Sequence, residues 1–208
     1  MTIPQSLLAF ALAAGLLTIT PGVDTAMVLR TAATGGTKRA IFAAIGVGFG
    51  LLAWGAAASL GLGALLAASA LAFTALKIAG AAYLLWLGVK LIRNPRAKLE
   101  QTPTPDQNLT PAEALRRGFL SNILNPKIGM FYVTFLPQFI PEGANTAAYA
   151  FMLTCVQVGL DVLWFTAIIA AAAPLARRLK QPKIVRALDR LTGGVLISFG
   201  LKLALSAR

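Results

Sequence analysis

Residues 17–29 read LTITPGVDTAMVL, and no charged side chain precedes Asp24. Inside so apolar a stretch, a Pro-Gly pair followed by an aspartate is expensive. Proline removes a helix donor and clashes with the preceding turn, glycine loosens the backbone, and a carboxylate in hydrocarbon costs about 3 kcal/mol. Three penalties at one place predict a helix broken within a membrane and a polar site at the break.

The composition supplies the membrane. Of 208 residues 57% are hydrophobic and 12% charged, with a mean hydropathy of +0.74, whereas a soluble domain carries about 25% charged residues. From Ala40 to Leu76 there is no charge at all, enough for two helices of roughly 20 residues and a tight turn. Six spans are predicted: Ile3–Leu29, Ala40–Leu66, Ser69–Ile92, Ala112–Ile140, Thr146–Ala173 and Leu188–Leu205. The N-terminal stretch lacks a basic leader and reads as a retained first helix.

The 19 Lys and Arg against 7 Asp and Glu give a net charge of +12. The positives gather in the odd loops, around Arg30 to Arg39, Lys90 to Arg117 and Arg177 to Arg190, while LLAAS and PEGANT carry none. They act as topology signals, which puts the odd loops in the cytoplasm and both termini outside. No basic face with interleaved aromatics points to nucleic acid. There is no histidine and one cysteine, Cys155, which reads as a small packing residue and excludes imidazole chemistry and an internal disulfide.

A second break mirrors the first. NPKIGMFYVT begins at Asn125 as TPGVDTAMVL begins at Thr20, and each is followed one span later by a Gly-to-Trp stretch, GLLAW ending at Trp54 and GLDVLW ending at Trp164. Three spans per half make the second copy inverted. The predicted architecture is an all-α membrane protein of six helices in two inverted three-helix repeats, with broken helices in spans one and four. Its units are residues 1–93, a cytoplasmic linker 94–111, and residues 112–208. Span four starts at a capping box, Thr110-Pro111-Ala112-Glu113.

Beyond the first turn of a predicted span only two acids occur, Asp24 and Asp161, and an intramembrane carboxylate suits a cation, an ammonium group or a proton. Lys127 either pairs with one of them or holds a substrate carboxylate. Thr18, Asn122, Thr134, Thr154 and Gln157 read as links between helices, with Asn122 and Gln157 near the break and Asp161. Gly46, Gly48 and Gly50 read as one small-residue packing face.

These segments resemble the lysine exporter/homoserine-threonine resistance (LysE/RhtB) translocators: TPGVDTAMVL, LKIAGAAYLLWLGVKLIR (76–93), NPKIGMFYVTFLPQFI (125–140) and LDRLTGGVLISFGLKLAL (188–205). The resemblance implies an inner-membrane exporter of amino acids or their derivatives, driven by protons, with no cofactor. Carried over, Thr20, Pro21, Gly22, Asn125, Pro126 and Lys127 form the substrate site, joined by Asp24, Asn122 and Gln157, with Asp161 or Asp24 for proton coupling. Asp24 departs from the asparagine frequent at that place in the family. A zwitterion would set its carboxylate on half-helix amide groups and its ammonium on an acid. The alternatives are a metal or cation exporter, which the lack of His and of any acid or cysteine cluster opposes, and a membrane enzyme or scaffold, for which no nucleophile and base stand together. The Gly/Ala-rich faces permit a homodimer.

Overall fold

A computed structural model describes residues 2–20, 22–68 and 109–171 continuously, with shorter pieces between 78 and 95 and between 181 and 201. Pro21, the loop at 96–108 and most of the third and sixth predicted spans lie outside the described residues. Among the described residues every regular element is helical.

Helix α1, Ile3–Ile19, opens with a capping box in which the Thr2 hydroxyl accepts from Gln5 N–H and the Gln5 side chain accepts from Thr2 N–H. It stops at Thr20, whose backbone turns extended. Helix α2, Val23–Gly35, follows an extended Gly22, and the two axes bend by 52°. The predicted break is therefore present. α2 runs past the predicted end at Leu29, through Arg30, because nothing apolar is required of a helix emerging from the membrane. Gly36, at φ 82°, turns the chain straight into α3, Thr37–Ala68, a conformation that favours glycine. Arg39 donates to the Gly35 carbonyl at 3.0 Å and closes the end of α2.

Helix α4, Pro111–Ile123, starts at the predicted capping box, with Thr110 N–H donating to the Glu113 carboxylate at 2.7 Å. The fourth predicted span is not one helix with a kink. α4 ends at Ile123, α5 covers only Pro126–Met130, and the chain continues as a π-helical turn, Phe131–Phe135, and a 3-10 turn, Leu136–Phe139. Helix α6, Thr146–Ala170, is capped by Asn145. Among the described residues Thr37–Gly61 and Thr146–Ala170 are each long and apolar enough to cross a membrane, and the bent α1–α2 pair passes the same test when taken as one span.

α3 and α4 meet at backbone distance. A β-carbon on Gly46 would lie 2.0 Å from the Leu115 carbonyl oxygen, and one on Gly118 2.0 Å from that of Ala43. Gly50 likewise makes room for Asn122. Gly48 does not belong to this face, since a β-carbon there meets nothing within 4 Å; two positions on a helix are about 200° apart, whereas four return to the same side. Cys155 is exposed on α6, so it packs no core of this chain.

Two apolar clusters form. One joins Phe10, Leu17, Phe131, Phe135, Phe139, Tyr149 and Leu153, with Phe10 and Phe139 edge to face at 5.4 Å. Tyr149 closes it by donating to Ser6, which donates to the Phe139 carbonyl. The other joins Met27, Val28, Leu29, Val47, Ala114, Phe165 and Ile168. Each broken or long helix contributes to both clusters, and its polar residues fall in between: Asp24 between Leu17 and Met27, Asp161 between Leu153 and Phe165.

Candidate functional site

Each proline orphans a carbonyl. The partner of Leu17 O in a continuous helix is the N–H of residue 21, which proline lacks. That of Asn122 O is the N–H of residue 126, also proline. The ammonium of Lys127 answers the first, donating to Leu17 O at 2.9 Å and to Thr20 O at 3.1 Å. A cation on the open carbonyl end of a helix also meets its negative pole. Asn125 N–H answers the second, donating to Asn122 O at 3.0 Å.

The reverse link runs through Asp24. Its carboxylate accepts from the Ser121 hydroxyl at 2.6 Å and from the side-chain amides of Asn122 and Asn125, both at 3.0 Å. Thus the cation of the second break holds the first helix end, and the carboxylate of the first break holds the second. Asp24 is buried and this triple acceptance satisfies it without a cation.

Asp161 is buried too and is held differently: among the described residues it takes one hydrogen bond, from the Thr18 hydroxyl at 2.5 Å. It lines the same cavity as Asp24 and Lys127. Gln157, one helical turn away on α6, is buried with its side-chain oxygen lacking a partner among the described residues.

Asp161, Gln157, Lys127, Asn125, Asp24, Gly22, Thr20 and Thr18 line one cavity at the meeting of the two breaks. It offers about 20 Å³ to the centres of water-sized molecules, room for a single water. The sequence-derived residues Thr20, Gly22, Asp24, Asn125, Lys127, Gln157 and Asp161 therefore converge. Asn122 stands behind, as a donor to Asp24. Pro21 lies outside the described residues, and of Pro126 only the backbone is described, at the start of α5. Sequence reading missed Ser121, whereas Thr18, read as a link between helices, is one, joining α1 to Asp161 on α6. Their signal was position: Ser121 precedes Asn122, and Thr18 sits one turn before the break. The half-helix amides expected at the second break are not open, because α5 has 5 residues and Asn125 Oδ1 already accepts from Lys127 N–H at 3.1 Å.

A polar, charge-bearing cavity between broken helices, in a chain with helices apolar enough to cross a membrane, is that of a multi-pass membrane protein. The family model of the LysE type translocators matches residues 16–207, and the chain belongs to that family. It is a translocator, not an enzyme. The homoserine/homoserine lactone efflux protein of Salmonella typhimurium is 32% identical, covering 96% of each chain. The leucine efflux protein of Klebsiella pneumoniae is 29% identical over 95% of this chain and 93% of its own. The membrane protein YrhP of Bacillus subtilis is 34% identical over 97% of this chain and all of its own. No solved structure matches.

Proposed function

We propose that this chain exports amino acids or their derivatives across the bacterial inner membrane by alternating access, coupled to proton entry. The observation that carries this is the position of Asp161, a buried carboxylate with one neutral donor, in a polar cavity between two apolar clusters. The names of relatives that export homoserine, leucine and threonine support the substrate class.

In this reading the substrate ammonium meets Asp161, and its carboxylate meets Lys127 and the start of α2, which has no side-chain cap. Asp24 is the brace that shapes the site, since three donors from the second break already hold it. The cavity is smaller than any amino acid, so each cluster parts in turn to admit substrate on one side. Protonation of Asp161 removes the charge that holds the ammonium and lowers the cost of keeping the carboxyl buried, which ties release to proton uptake. Six spans in two inverted repeats, with both termini outside, complete the proposal.

The test is efflux of an amino-acid panel from proteoliposomes with and without an imposed pH gradient. Wild type should move one substrate class faster with the gradient, and Asp161→Asn should lose the acceleration and exchange substrate more weakly, since the ammonium loses its partner. No movement of any member, or gradient-driven efflux unchanged in Asp161→Asn, overturns it.

A further inference from the structure

Asp161 borders a second space besides the polar cavity. Between α3 and α6 lies an open groove of about 290 Å³, walled by Ile41, Ile45, Gly48 and Phe49 on one side and Val162 and Phe165 on the other. Asp161 is the one charged residue in its lining. Asp161 and Phe165 line both spaces, so they form the partition between groove and polar cavity. Gly48 keeps the groove open, because its missing side chain would meet no atom within 4 Å.

What fills such a groove must be apolar along its length and cationic where it reaches Asp161. A hydrocarbon chain of a lipid answers the walls and leaves the carboxylate facing oil. An inorganic cation answers the carboxylate and leaves the walls uncovered. An α-amino acid with a long apolar side chain does both at once, with its α-carbon at the partition. Its ammonium then sits on Asp161, its carboxylate in the polar cavity toward Lys127, and its side chain along Phe49 and Val162.

We propose, resting on the exporter reading above, that the groove between α3 and α6 is the side-chain subsite and that the preferred substrates are amino acids with extended apolar side chains. The amphiphile reaches the site only as Phe165 swings out of the partition, a rotation that also loosens the cluster holding α2, α3 and α4.

The experiment is transport by the reconstituted full chain of an unbranched series: alanine, 2-aminobutyrate, norvaline and norleucine. Each added methylene buried in the groove raises apparent affinity about fourfold, so KM falls stepwise along the series in wild type. Gly48→Leu fills the groove, and the slope disappears while alanine still moves. If no member moves, this proposal fails, and the exporter reading fails with it only when the wider amino-acid panel does not move either. If the series moves with a flat KM in wild type, or the slope survives in Gly48→Leu, the exporter reading stands and the groove is not the subsite. Should Gly48→Leu not fold, Val162→Trp, on the opposite and exposed wall, fills the same groove and must remove the same slope.

Discussion

The ammonium of Lys127 lies 2.9 Å from the carbonyl oxygen of Leu17, 110 positions away, and makes the hydrogen bond that Pro21 cannot. The break in the first helix is thus completed by a side chain from the second break, and the two cannot be understood separately. Asp24 returns the favour to Asn122 and Asn125.

Removing the Lys127 ammonium should destabilise the fold before it affects chemistry. Lys127→Met leaves two buried carbonyls without this donor, a loss of about 1–3 kcal/mol. Thermal unfolding in detergent should show a midpoint lower by several degrees, about 2–4 °C per kcal/mol for a chain of this length. Lys127→Arg retains donors and should lose less.

The two buried aspartates should part company on substitution. Asp24→Asn sets a side-chain amide against three donors, of which it can accept from fewer and repels at least one with its own N–H groups. Asp161→Asn faces one hydroxyl that can reverse its role. Asp24→Asn should therefore lower the unfolding midpoint clearly and Asp161→Asn barely, in paired melts at neutral pH.

Adding one methyl group separates the glycines. Gly118→Ala and Gly46→Ala push a β-carbon into a facing backbone carbonyl and should cost about 1–3 kcal/mol by overpacking. Gly48→Ala meets open space and should stabilise slightly, by roughly 0.5–1 kcal/mol from helix propensity. Yield of monodisperse protein in size-exclusion chromatography orders the three.

At the start of α4, Glu113 has its carboxyl held below its ordinary value of 4.5 by the Thr110 N–H and hydroxyl, with smaller help from Arg117 and Arg116. A depressed carboxyl stabilises the helix start fully above the ordinary value, and the contribution disappears as pH falls through the lower, folded one. Hydrogen exchange of the amides following Thr110 should stay slow through mildly acid pH and quicken only below it, and Glu113→Gln should flatten that dependence.

The sequence by itself determined the membrane, the two breaks, the start of α4 and most of the residues that line the cavity between the breaks. These are local or compositional: hydrocarbon tolerates few charges, proline ends a helix wherever it falls, and a Thr-Pro-x-Glu cap is complete within four residues. Tertiary structure decided how the exceptions are satisfied. That Lys127 serves carbonyls of α1, that Asp24 is braced by three donors while Asp161 keeps a single neutral donor, and that Gly48 faces a groove and not a helix all depend on distant elements meeting. A buried polar group takes whichever partner packing brings within 3 Å, and a one-dimensional pattern records its need without naming the partner.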